Sequence, residues 1–186
     1  PYKEYVTTDT PVSIVGAGAE STTVDAANLA HGFFIDGFDH HGLAKVTIAG
    51  FTVENALFEG ILVVSASHVT IRNNHINGND TSPGLIFTAA STGCPDQPDR
   101  GTYENEETGN CGGALHLVGT SHSIVSGNLI TGNADGVLIS YETAESHDNM
   151  LIHNTIKYNT FVSGIVLATT QTTGHAYPHY ARHYGS

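Results

Sequence analysis

The feature that most constrains this chain is that it repeats itself. VTIAGFTVENALFEGILVVS (46–65) is followed by VTIRNNHINGND (69–80), then by GALHLVGTSHSIVSGNLITGNADGVLIS (113–140) and NMLIHNTIKYNTFVSGIVLAT (149–169), while VSIVGAGAESTTVDAANLAHGFFIDG (12–37) fits the same template more loosely. Short runs rich in Val, Ile and Thr recur three to a repeat, separated by Gly, Asn, Asp and Ser, which is the pattern of short strands closed by turns. Apolar residues fall into three columns. The first runs Ile48, Ile71, Val125 and Leu151; the second Val53, Ile76, Ile130 and Ile156; the third Phe33, Ile61, Leu115, Val137 and Ile165. Steps along the first column are 23, 54 and 26 residues, and the 54 reads as about two periods because it contains a loop. A unit that returns every twenty-odd residues with three strands per return buries little by itself, so it must stack on its neighbours. At 186 residues and 39% hydrophobic the chain suits one domain with a real core. The expected architecture is all-β: a single-stranded parallel β-helix of about five coils over residues 1–170, a loop insertion at 80–112, and a C-terminal tail at 171–186.

Polar residues share the register. Phe51, Asn74, Asn128 and Asn154 occupy the turn between the first two columns, and Ala56, Asn79, Asn133 and Asn159 lie three residues beyond the second. Asparagine tolerates left-handed turn conformations, and its amide can bond backbone groups in its own and adjacent coils. Two asparagine ladders are expected, with rungs about 4.8 Å apart.

Charge narrows the partners. Eighteen carboxylates against six Lys plus Arg give a net charge of −12, which repels a phosphate backbone, so nucleic acid is not an expected partner. No apolar run approaches the ~20 residues of a membrane helix, and membrane insertion is not expected. Cys94 and Cys111 are the only cysteines and have neither CxxC nor zinc-finger spacing. A disulfide closing an irregular acidic loop is the favoured reading and implies an oxidising compartment, secreted or periplasmic; two free thiols are the alternative.

The segments VSIVGAGAESTTVDA, GFTVENALFEGILV, VTIRNNHINGND, CGGALHLVGTSHSIVSGNLITGNADGVLISYET and NTIKYN together resemble the right-handed parallel β-helix proteins of the pectin-lyase-like superfamily, specifically the secreted bacterial repeat type. The resemblance spans residues 2–169 and implies a right-handed helix. It does not choose an activity, because that fold hosts lyases, hydrolases, epimerases, adhesins and non-catalytic members. PYKEYV at the start looks like the end of the lead-in segment of such proteins, so a mature or trimmed chain is expected.

Outward positions of the third strand also align. Phe34, Leu62, His116, Leu138 and Val166 form an apolar stripe with one histidine, about 20 Å tall over five coils. A ligand groove, an interface for a homo-oligomer, and a face covered by a loop or the tail are three accounts of it. Just before the Gly or Ala that opens each third strand stand His31, Glu59, Gly113, Asp135 and Ser163. Glu59 and Asp135 should therefore lie two rungs apart, roughly 9–10 Å between backbones, near the spacing of an inverting glycosidase pair. His116 on the intervening coil is the candidate proton-transfer partner. Acidic residues at exposed turns of an acidic protein are the plainer alternative.

The 80–112 loop carries Asp80, Asp96 and Asp99, candidate ligands for calcium, although no EF-hand spacing is present. The YETAESHD loop (141–148) leaves the other end of the strand, and with the long loop would wall the stripe. Its Tyr141 and Glu142 are candidate rim contacts beside the substrate-binding set Phe34, Leu62 and Leu138. His40 and His41 are adjacent, and His175, His179 and His183 have helical spacing, but Pro178 among the latter favours a tail over a metal-binding helix. Arg or Lys is absent from the third-strand columns, and the NTD, DD and GHG motifs of polygalacturonase-like enzymes are missing, which weighs against lyase and polygalacturonase mechanisms. A polysaccharide-active enzyme using Glu59, Asp135 and His116 is the leading expectation. A non-catalytic glycan-binding or assembly β-helix is the second, and a periplasmic metal-delivery protein the third.

Overall fold

The computed structural model describes residues 1–79, 113–141, 143–159 and 164–168. Its strands form three parallel sheets of six, six and five strands, and each complete coil contributes one strand to each. One sheet stacks β1 (Tyr2–Lys3), β4 (Thr23–Asp25), β7 (Thr52–Glu54), β10 (His75–Asn77), β13 (Leu129–Thr131) and β16 (Thr155–Lys157). A second stacks β3 (Ser13–Val15), β6 (Thr47–Ala49), β9 (Thr70–Arg72), β12 (Ile124–Ser126) and β15 (Met150–Ile152). The third, which carries the candidate site, runs β2 (Val6–Thr8), β5 (Phe33–Asp36), β8 (Ile61–Val64), β11 (Leu115–Val118), β14 (Val137–Ser140) and β17 (Ile165–Ala168).

The apolar columns are the register. Ile48 pairs with Ile71, Ile71 with Val125, and Val125 with Leu151. The 54-residue step between Ile71 and Val125 is thus one rung that contains a long insertion, as the columns expect. In the three-residue strands the middle side chain points inward because side chains alternate across a strand, and Ile48, Val53, Ile71, Ile76 and Ile130 are fully or almost fully buried. Each such side chain contributes about 2–3 kcal/mol through burial.

Both ladders are present, and each starts where asparagine first appears. Asn74 Oδ1 accepts from the Phe51 amide at 3.0 Å, and its Nδ2 donates to the Ile48 carbonyl and to Asn128 Oδ1, both at 3.1 Å. Asn128 repeats this toward Ile71 and Asn154. The second ladder serves the Ala56 amide through Asn79, then Asn133 and Asn159. Every amide group in these stacks satisfies a backbone group that the turn would otherwise leave unpaired. A third polar stack, unforeseen from the sequence, runs from the Val69 amide to Ser123 Oγ (2.9 Å) and from the Ser123 amide to Asn149 Oδ1 (3.1 Å).

The glycine that opens most third strands is sterically required. A Cβ at Gly60 would lie 2.6 Å from Ile76 Cγ2 and 2.8 Å from Asn79 Nδ2, inside the second ladder. This close approach fixes the turn that carries Glu59.

Candidate functional site

The register of the third sheet sets the site. Phe33 pairs with Ile61, Ile61 with Leu115, and Leu115 with Val137, so His31, Glu59, Gly113 and Asp135 are successive rungs. Glu59 and Asp135 stand two rungs apart as expected, and Gly113 puts no side chain between them. His116, outward on β11 opposite Leu62, is thereby open to Glu59.

Glu59, His31 and His116 are completely buried. Glu59 Oε1 lies 3.4 Å from His116 Nδ1, a long hydrogen bond, and His116 Nε2 is 2.8 Å from Ser140 Oγ. Glu59 Oε2 is 2.7 Å from His31 Nδ1. That approach is off the ring N–H axis, so it is a close electrostatic contact and not a well-formed hydrogen bond. His31 Nε2 is buried with no hydrogen-bond partner among the described residues. Around His31 stand the rings of Tyr5, Phe34 and Phe58, with centroids 5.4, 5.8 and 6.2 Å away.

Burial in this apolar surround pushes the Glu59 carboxyl up, but the charge of His31, followed by the contacts of His116 and His31, outweighs it and holds the group below its ordinary value. Glu59 is therefore the ionised member of the cluster and not its acid. With His116 Nδ1 facing the carboxylate, the neutral tautomer keeps its proton there and presents Nε2 as acceptor to the Ser140 hydroxyl. Carboxylate, imidazole and hydroxyl stand in the order that lets a histidine take and return a proton.

Two expectations need correction. The stripe is expected on the exposed face of the third strand, with a covered face as one of its three accounts, but Phe34, Leu62, His116 and Leu138 are 4%, 0%, 0% and 3% exposed; only Val166 is half-buried. Tyr5 and Phe38 pack against Phe34, Leu62, Val64 and Val118, so that part of the face is covered within one chain. The reading of Glu59 and Asp135 as acids at exposed turns fails for the same reason, since Asp135 is 5% exposed. Tyr141 is half-buried and lines a separate hollow with Ser146 and His147. Glu142, the candidate calcium ligands Asp80, Asp96 and Asp99, the pair Cys94 and Cys111, and His175, His179 and His183 lie outside the described residues.

Sequence reasoning placed Glu59, Asp135 and His116 in the right columns and gave His31 no role. Ser140 was missed. It lies on the strand next to His116 but two residues further along, a diagonal neighbour that a column of directly opposed residues does not show.

The molecule is a single-stranded parallel β-helix with a buried carboxylate and imidazole cluster at its third sheet. The chain belongs to the right-handed β-helix region family, which matches residues 14–175. No curated protein and no solved structure matches it significantly.

Proposed function

We propose that the chain is an extracellular or periplasmic polysaccharide-active protein, a hydrolase in which His116 moves the proton. The observation that supports this is the line Glu59, His116, Ser140, with an ionised carboxylate orienting an imidazole whose other nitrogen contacts a hydroxyl. A buried ionic cluster adds little to stability compared with apolar packing, so a carboxylate and two histidines in this position suit chemistry better than cohesion. Glu59 holds and polarises His116; Asp135, two rungs away, is the second carboxylate. A second reading is favoured by the covered stripe: a non-catalytic β-helix that binds glycans elsewhere on its surface.

The test is turnover on a panel of neutral and acidic polysaccharides, followed by reducing-end release. The first reading expects release by the wild type and a loss of roughly 10²–10⁴-fold in His116→Gln, the usual worth of a general acid or base. Release unchanged in His116→Gln rejects that site. No release together with retention on a glycan array moves the assignment to the second reading, and neither release nor retention rejects both.

A further inference from the structure

A different edge of the helix carries a stack of histidines. Between the third sheet and the next coil, isolated bridges align Ser67 with Ser121 and Ser121 with His147. The following residue on each coil, His68, His122 or Asp148, has a left-handed backbone with φ of 52°, 51° and 53°, a conformation that His and Asp tolerate better than most residues. That shared conformation throws the side chains out along one line. The His68 and His122 rings are 5.3 Å apart and the His122 and His147 rings 5.1 Å.

At the C-terminal end of this line, three donors converge. Asp148 Oδ2 lies 3.0 Å from His147 Nδ1 and 3.7 Å from His122 Nδ1, and one ligand atom from each residue lies within 4.8 Å of the other two. A tetrahedral ion bound by imidazole nitrogen and carboxylate oxygen at about 2.0–2.1 Å has ligand edges of roughly 3.3 Å. The two observed separations bracket that edge. We propose that His122, His147 and Asp148 form a surface site for a divalent transition-metal ion of the Zn²⁺ type.

The donor set fits this class of ion. Two neutral imidazoles and one carboxylate suit Zn²⁺, Ni²⁺ or Cu²⁺, whereas Ca²⁺ and Mg²⁺ prefer all-oxygen shells. His147 and Asp148 also border a hollow of about 200 Å³, walled by Tyr141, Ser146, Asn149 and Leu167, which gives a fourth ligand room to bind. The protein's net charge of −12 draws cations toward it. Each neutral imidazole binds the ion through Nδ1 and keeps its single proton on Nε2. The site is separate from the Glu59 cluster and does not depend on the polysaccharide reading.

The test uses the full, untagged chain in which His175, His179 and His183 are replaced by Gln, to silence the tail. Equilibrium dialysis against Zn²⁺ should leave one equivalent bound, and Co²⁺ should give the intense visible bands of a tetrahedral site. His122→Gln and, separately, Asp148→Asn should each weaken Zn²⁺ at least about tenfold, since loss of even an outer-shell partner costs 10–100-fold. All three side chains are exposed, so both variants should unfold in chelator as the parent does. No uptake by the parent overturns the proposal. So does uptake that both variants retain with unchanged affinity.

Discussion

Glu59 shows how much one residue's surroundings decide. Its carboxylate is buried, ionised and flanked by two imidazoles. Glu59→Gln keeps the shape but removes the charge that faces His31 and His116, and should cost on the order of 3 kcal/mol, the scale for removing one member of a buried pair. Urea unfolding at neutral pH measures this directly. The sign of the pH dependence follows from the lowered folded-state value. The unfolded chain binds this proton at a higher pH than the folded one, so the Glu59 contribution is complete above about pH 4.3 and drains away as the pH falls through the folded value. As the pH falls below about 4.3, wild type should lose stability faster than Glu59→Gln, and the difference between them should shrink; a constant difference would show that the carboxylate is not held low. The position of Glu59 was legible because a column of residues before each glycine is a pattern in the sequence. Its burial was not, because the count of carboxylates favours solvent and nothing in GFTVENALFEG reveals what covers that turn.

At the scale of the element, the ladders divide into interior and terminal rungs. Asn128 Oδ1 accepts from the Asn74 amide and side chain, and its Nδ2 donates to Ile71 and Asn154. Asn128→Ala strands several buried partners at once, and at about 1–3 kcal/mol for each unsatisfied group it should cost roughly 3 kcal/mol or more. Asn159, half-buried at the far end of the other ladder, should cost about 1 kcal/mol on the same change. Chemical denaturation of the two variants compares them. These ladders were readable from spacing alone, since asparagine recurs at fixed offsets from the core columns. The ladder is unbroken across the 54 residues of sequence between Asn74 and Asn128, which bond each other directly. Sequence spacing cannot separate one coil with a long loop from two coils, because both give the same distance between columns. The Ser123 and Asn149 stack escaped for a related reason: serine and asparagine share a role there without sharing a residue type.

For the whole molecule, the consequence of stacking is that each coil is stabilised by its two neighbours and by little else. Interior coils bury the full column, with Ile71, Leu115, Leu117 and Val125 at most 1% exposed. In the C-terminal coil Leu151 and Ile156 are half-buried, and Ile165 and Leu167 are 51% and 67% exposed. The same residue types in the same columns therefore contribute unequally. Ile71→Ala should cost about 2–5 kcal/mol, the range for a fully buried aliphatic side chain, while Leu151→Ala should fall below it because less apolar surface returns to water. Opening should also begin at that end. Native-state hydrogen exchange should find the amides of β15, β16 and β17 exchanging through local openings of low free energy, while those of β6, β9 and β12 approach the global unfolding value. The His122, His147 and Asp148 cluster joins the coil ending in β14 to the one beginning at β15, so Zn²⁺ bound there should raise protection in β15 selectively by binding the closed form alone. Uniform protection with and without Zn²⁺ would mean that the coils open together and that the ion does not bridge them.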